Sequence, residues 1–485
     1  MGRPSKHEER DQELAAIPSQ PGEQGDAVFG QADEGGPNYR QVGRFAASVL
    51  MMKTEIGLGV LSIPDAFDSL GIVPGVIILI AISVITTWSA YVAGKFKLNH
   101  PETYGVADAG ELMFGIAGRE GFAIAFCLLW IFVAGSAMLS VSISLNAMST
   151  HGACTAIFVA VAAIGGFLVA SIRTLGKVSS LAWIGMISIL SAIFTVTIAT
   201  GVQDRPAAAP QTGPWDPQYK LFGNGTLAAA MAAISSIIFA FCGVPAYISI
   251  ASEMADPRQF TFSLLVCRGV ATSVYIVIGV VVYYYCGIYV ASPALGSAGT
   301  LLKKISYGLA FPGLVVSMVL YIHVGICTCP VEVQGTYKNP EMLIFLQLTA
   351  KYIFIRILRG TKHLAANTLI HWGTWLGCTA VITLIAYCIA SGIPAFGGLV
   401  SLVGAVFGTL LCFLPMPCMW FYDNWNTSER TTWWRCMVAW SVFVFVIGTY
   451  LMVAGTYGSV VGLINIFAED GSTSAWSCAD NSNSV

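Results

Sequence analysis

The stretch Lys53-Thr54-Glu55-Ile56-Gly57-Leu58-Gly59-Val60-Leu61-Ser62-Ile63-Pro64 decides how this chain is read. It lies inside the first long apolar segment, which begins near Phe45. Two glycines, a serine and a proline fall where a membrane helix should be most regular, and two ionisable residues precede them. In hydrocarbon every backbone N–H and C=O needs a partner, so irregular backbone at depth is tolerated only in protein or around a cavity. The break is therefore read as a binding site.

Working outward, the composition sets the class. The chain has 485 residues, 56% hydrophobic and 10% charged, against roughly 25% charged in a soluble protein. That is a polytopic membrane protein. The net charge of -2 says little, because orientation depends on where Lys and Arg lie. Most of the 13 cysteines sit in apolar runs, as Cys127, Cys242, Cys267, Cys286, Cys378 and Cys412 do. No Cys/His spacing indicates a metal, and they read as small buried hydrophobes. Residues 1–43 are polar and read as a disordered tail without a cleavable signal.

A span needs about 20 apolar residues. The candidates are Phe45–Phe67, Ile72–Phe96, Phe122–Met148, Cys154–Ile172, Leu181–Val202, Leu227–Ala251, Leu264–Val290, Tyr307–Val324, Leu369–Ala390, Gly397–Leu414 and Trp433–Val453, which makes about eleven. Arg40 and Arg44 precede the first, Lys95, Lys97 and Arg119 follow the second, Arg173 and Lys177 the fourth, and Lys351 to Lys362 the eighth. The positive-inside rule places the N-terminus in the cytoplasm. An odd count puts the acidic tail 466–485 outside, and the sequon Asn224-Gly225-Thr226 falls on the outer side as well. Residues Glu102–Glu120 are mildly amphipathic and predict an interfacial helix on the cytoplasmic face.

The sixth span carries a second break, at Gly243 and Pro245 in Phe239-Ala240-Phe241-Cys242-Gly243-Val244-Pro245. Proline removes a donor and clashes with the preceding turn. The first and sixth spans hold matching places in two blocks of five. Interrupted helices at corresponding positions of two halves are the sequence pointer to a secondary-transporter site.

Several long strings then carry a resemblance. They are KTEIGLGVLSIPDAF at Lys53–Phe67, WIFVAGSAM at Trp130–Met138, VQDRPAAAPQTGPW at Val202–Trp215, FAFCGVPAYISIASEM at Phe239–Met254 with Asp256-Pro257-Arg258 after it, VVYYYCGIYVASPALGS at Val281–Ser297 and FGGLVSLVG at Phe396–Gly404. Together they resemble the amino acid/auxin permease family, and most closely its fungal-type neutral amino acid permeases. The resemblance runs from about Arg44 to about Trp440. It implies an all-α leucine-transporter-like fold, a 5+5 inverted repeat with broken helices 1 and 6 plus an eleventh helix. It also implies proton-driven uptake of amino acids across the plasma membrane.

A zwitterion needs a positive and a negative partner near the midplane, where free charges are costly, and broken helices provide both. Ser62 and Pro64 read as a cap and first turn, with free N–H groups near Gly59 to Leu61 for the carboxylate. Gly57 and Gly59 would let a ligand approach the backbone. Carbonyls near Phe239–Phe241 would accept the ammonium. The predicted substrate-binding residues are thus Thr54, Ile56, Gly57, Leu58, Gly59, Val60, Leu61, Phe239, Ala240, Phe241, Gly243 and Val244, with Trp130 walling the pocket.

Glu55 lies within the span, where ionising a carboxylate is costly, and that suits a proton carrier. The related permeases are expected to hold an uncharged polar residue here, so a family role does not carry over. The competing readings are a neutral hydrogen-bonded glutamate or an ion pair with Lys53 or another basic group. Lys53, which reaches the cytoplasmic end or pairs with Glu253, is a further coupling or gating candidate, as are Glu253 and His323.

Gly325–Leu348 (GICTCPVEVQGTYKNPEMLIFLQL) differs in composition from both flanks and reads as a retained intron or gene-model error, or else a cytoplasmic insertion. The leading function is a proton-coupled symporter of neutral, aliphatic or aromatic amino acids, with domain 44–465 doing the transport. No cofactor, metal or catalytic residue is expected. Sodium coupling stays open, since carbonyls at broken helices also bind sodium. The partners are a small-molecule substrate and the bilayer, without nucleic acid. A sensor with the same fold is the alternative. An enzyme would need a cluster of nucleophile, base or metal ligands, and the 6 histidines are scattered.

Overall fold

In a computed structural model the apolar segments form α-helices, described for residues 42–171, 178–206, 208–323, 369–426, 430–469 and 475–482. Residues 1–41 of the expected tail 1–43, and the insertion 325–348, lie outside these residues. The helices are α1 (Arg44–Glu55), α2 (Ile63–Leu70), α3 (Ile72–Asn99), α4 (Val106–Ser149), α5 (Thr155–Ala170), α6 (Val178–Val202), α7 (Leu227–Ala240), α8 (Val244–Glu253), α9 (Phe260–Cys286) and α10 (Thr300–His323). After them come α11 (Leu369–Gly392), α12 (Phe396–Val403), α13 (Thr409–Cys412), α14 (Pro415–Asn424) and α15 (Thr432–Glu469).

Nine stretches are long and apolar enough to cross a bilayer, α1 with α2 forms a tenth bent by 41°, and the 16-residue α5 is a shorter apolar helix. Among the described residues ten of the eleven expected spans are thus met by length and composition, and α5, which stands where the fourth is expected, is shorter than a bilayer crossing needs. Helices that cross hydrocarbon keep apolar side chains on their outer faces, and Ile77, Val84, Ile164, Ile187 and Ile198 are all exposed here. Lipid is as apolar as leucine, so close packing rather than water exclusion joins such helices, and small residues let their backbones meet. The last helix shows how. A Cβ on Gly458 would lie 2.4 Å from Ala228 O and one on Gly455 2.4 Å from Ser235 Oγ, so only glycines let α15 seat on α7.

Most of the amphipathic stretch Glu102–Glu120 is helical and enters α4, which Gly115, at φ 65°, kinks near its start. Asp108 caps the beginning by accepting from the backbone N–H of Tyr104 (2.8 Å) and Gly105 (2.9 Å), which satisfies donors that a helix start leaves free.

The cysteine reading fails at two positions. Cys154 and Cys478 form a disulfide that closes 324 residues. Both flank polar, exposed backbone rather than a packed interior, and only the fold brings them together. Around the bond, the Asn146 amide donates to Asn481 Oδ1 (2.7 Å), the Thr155 hydroxyl donates to Ala479 O, the Lys303 ammonium donates to Ser482 O and the Trp476 N–H donates to Ser391 O (3.0 Å). The tail therefore clasps the ends of α4, α5, α10 and α11.

At the opposite end, Val42 pairs with the end of α8, its N–H on Glu253 O (3.3 Å) and its carbonyl taking the Ala255 N–H (3.1 Å). The first and sixth spans are thus joined beyond their breaks.

Candidate substrate site at the two breaks

α1 ends at Glu55. The backbone then turns through Ile56-Gly57-Leu58, makes a 3-10 turn over Gly59–Ser62, and resumes as α2. Ser62 does not cap α2. Its hydroxyl donates back to Gly59 O (2.8 Å), and the Leu61 N–H is used inside the turn on Leu58 O (3.2 Å). The reason is local: a 3-10 turn continues the helical hydrogen bonding, so no orphan donor faces Ser62. Pro64 does occupy the first turn, as expected of a residue without an N–H.

The sixth span opens over Phe241-Cys242-Gly243, between α7 and α8. Two of its terminal carbonyls are already engaged. Phe239 O accepts from the Cys242 N–H (3.1 Å), and Ala240 O from the Tyr275 hydroxyl (2.9 Å). A carbonyl has a second lone pair, so each keeps capacity for a ligand.

The two breaks cross. A Cβ on Gly59 would lie 2.4 Å from Ala240 Cα, and one on Gly243 2.4 Å from Thr54 Oγ1 and 3.1 Å from Glu55 Cγ. The close approach that Gly59 permits is thus to the other broken helix and not to a ligand. Gly57 faces Tyr321 and Ser317 of α10, with room for a Cβ at 3.6 Å and 3.8 Å.

Beside the crossing lies a cavity of about 20 Å³, the room of about one water, lined by Thr54, Glu55, Leu58, Gly59, Leu129, Trp130, Val133, Phe239, Cys242 and Tyr321. Five of these, Thr54, Leu58, Gly59, Phe239 and Trp130, were predicted as substrate or pocket residues, and Glu55 as a coupling or gating candidate. Ile56, Gly57, Val60, Leu61, Ala240, Phe241, Gly243 and Val244 belong to the breaks but do not line the cavity. Phe241 is fully buried against Tyr275, with ring centroids 5.1 Å apart. Trp130 does wall the pocket, stacked on Tyr321 at 5.3 Å and 27°.

Of the readings open for Glu55, the structure shows an ion pair with a basic group other than Lys53. Glu55 Oε1 stands 2.9 Å from Arg268 Nη1 and accepts from the Tyr247 hydroxyl, and Cys267 Sγ lies 3.8 Å from Oε2. Lys53 is buried and donates to Ser317 Oγ (2.6 Å), with its stem against Gly185 of α6. It thereby joins α1 to α6 and α10. Glu253 ends α8 away from the cavity, and His323 closes the described part of α10. Arg268, Tyr247, Tyr321 and Ser317 were missed. Arg268 sits in the seventh span, where a lone basic residue at depth is itself a functional signal.

An all-helical bundle with its first and sixth spans interrupted at one crossing, and a small walled cavity beside it, defines a membrane transporter of the leucine-transporter-like class. The chain belongs to the transmembrane amino acid transporter protein family, whose model matches residues 40–461. It is 32% identical over 455 residues to the N amino acid transport system protein of Neurospora crassa, covering 93% of this chain and 91% of that one. It is 31% identical over 460 residues to a transmembrane transporter of Gibberella moniliformis, covering 94% and 91%. Among solved structures it resembles MhsT in complex with L-phenylalanine, with a TM-score of 0.51 and 11% identity, covering 89% of this chain and 99% of that chain.

Proposed function

We propose that the chain imports neutral amino acids by proton symport, with alternating access around the crossed breaks. The observation that carries this is the cavity wall. Leu58, Leu129, Trp130, Val133, Phe239 and Tyr321 surround it, and its one charged lining residue, Glu55, is held by Arg268. Such a pocket offers apolar contact to an uncharged side chain and no free counter-charge to a charged one. Backbone ends of the two breaks supply polar partners for the substrate's ammonium and carboxylate. A cavity of about 20 Å³ is too small for any amino acid, so its walls part before substrate enters. The Neurospora crassa relative's name supports amino acids as the cargo.

For the proton, Lys53 is the group whose surroundings fit. It is buried, its bond is to a neutral hydroxyl, and among the described residues no carboxylate lies within ion-pair distance. A lysine amine held only by a neutral group can take up or pass on a proton when its surroundings change during transport. The N-terminus lies in the cytoplasm, and the disulfide-clasped tail faces the oxidising outer side of the plasma membrane.

The test is uptake of labelled leucine, phenylalanine and lysine into proteoliposomes at pH 5.5 and pH 7.5, with and without sodium. Leucine and phenylalanine should accumulate when the outside is more acidic than the lumen and sodium is absent, and lysine should not. Accumulation that needs sodium, or none at all, refutes the reading. In Lys53→Met, accumulation driven by the pH gradient should vanish while exchange of internal for external amino acid persists.

A further inference from the structure

Helix α9 supplies no residue to the cavity lining, but it touches both breaks. Arg268 and Tyr275 lie seven residues apart, two turns on one face, and both are buried. Arg268 meets the first break and Tyr275 meets the second. We propose that Arg268 and Tyr275 are positioning residues, which hold the broken ends of both interrupted spans at the separation the substrate requires. The proposal rests on the transport reading above.

The chemistry at the first break calls for such a partner. Glu55 is the last residue of α1, and a helix C-terminus carries partial negative charge on its free carbonyls. A carboxylate there is doubly unfavourable in a buried place unless a cation answers it. Arg268 does so at 2.9 Å, while the Tyr247 hydroxyl donates to the same oxygen from the first turns of α8. One carboxylate thus joins the end of α1, the inner half of the sixth span and α9.

At the second break the Tyr275 hydroxyl satisfies Ala240 O, the last carbonyl of α7, at 2.9 Å. Its ring meets Phe241 edge-on at 5.1 Å, and the Arg268 guanidinium lies 5.3 Å from the centroid of that same ring and 5.6 Å from that of Tyr247. Phe241 is the first residue of the break. Both brace residues therefore bear on it, and each also holds one broken end. Glu55 and Gly59 face the cavity, while Arg268 and Tyr275 stand behind them. The ion pair is a strut, and the proton travels elsewhere.

Arg268→Met alone would strand a buried carboxylate and risks failure to fold. The informative variant is Glu55→Gln with Arg268→Met, which keeps shape and removes both charges, alongside Tyr275→Phe. Two readouts are taken on the full-length protein. Hydrogen exchange of the Thr54–Leu61 backbone, in detergent and without ligand, should speed up at least tenfold in the double variant. In proteoliposomes the KM for leucine should rise at least tenfold in the double variant and several-fold in Tyr275→Phe, while the ratio of uptake at pH 5.5 to that at pH 7.5 stays at the wild-type value.

Unchanged exchange, or a double-variant KM within twofold of wild type, overturns the brace. A Glu55→Gln protein that keeps its KM but loses the pH ratio also overturns it, since Glu55 would then be the proton group. A wild-type chain that moves no amino acid refutes the transport reading alone, because the exchange rates still decide whether α9 holds the breaks.

Discussion

Gly59→Ala removes no group and adds one methyl, yet it should be among the most damaging single changes in the chain. The added Cβ would stand 2.4 Å from Ala240 Cα, 2.9 Å from its Cβ and 3.2 Å from its N. Ordinary contact begins near 3.4 Å, so the first and sixth spans must part by about 1 Å at their crossing. No rotamer change relieves this, because the obstructing atoms are backbone and a methyl. Overpacking of this kind costs about 1–3 kcal/mol of stability. A displacement of about 1 Å at a site that relies on positioned backbone groups costs on the order of a hundredfold in productive geometry. Gly57→Ala is the matched control, since its Cβ meets Tyr321 Oη and Ser317 Oγ at 3.6 Å and 3.8 Å and needs no movement. Thermal unfolding in detergent and initial uptake rates in proteoliposomes should separate the two. Gly57→Ala should unfold within a few degrees of wild type, and Gly59→Ala should unfold earlier and transport at about 1% of the wild-type rate. Equal behaviour of the two variants would show that the crossed breaks do not set the site.

Other outcomes follow from single features of the structure. Opening the Cys154–Cys478 bond, by a membrane-impermeant phosphine or by Cys154→Ser with Cys478→Ser, should lower stability by about 2–4 kcal/mol. It should act on sealed right-side-out vesicles, and protection in such vesicles would reverse the orientation proposed above. Trp130→Phe removes part of the ring that stacks on Tyr321 and enlarges the pocket. Competition uptake should then favour phenylalanine over alanine about tenfold more than wild type does, and an unchanged preference would remove Trp130 from the selectivity wall. Gly458→Leu would drive its side chain into Ala228 O and Ala232 N of α7. It should loosen the last helix, and normal stability on unfolding would count against that packing.

Where the sequence was legible, it was so for a local reason. Spans can be read because a bilayer demands about 20 apolar residues in one run, and each run here meets or nears that demand. The breaks can be read because glycine and proline disturb their own turn wherever they stand. Gly59, Thr54 and Phe239 were therefore placed at the candidate site from their own segments. Errors and open choices arose where a residue's role depends on something far along the chain. For Glu55 the choice between a proton carrier and a partner in an ion pair stayed open, because the basic group that faces it, Arg268, lies 213 residues later. Cys154 read as a buried hydrophobe because its partner follows 324 residues on. Ser62 read as a cap because serine before a helix usually is one, but here the 3-10 turn already engages it.

The sequence by itself determined that this is a polytopic transporter-like bundle with its first and sixth spans interrupted, and it pointed to Lys53–Pro64 as the candidate site. Apolar run length and turn chemistry are properties of neighbouring residues, and they survive without a fold. Only the tertiary structure decided how that stretch is used. Gly59 meets Ala240, Glu55 answers Arg268, Lys53 reaches Ser317, and Trp130 closes on Tyr321. Each of these is a contact between spans, and the chain's periodicity carries no record of which buried charge or glycine will face which other one.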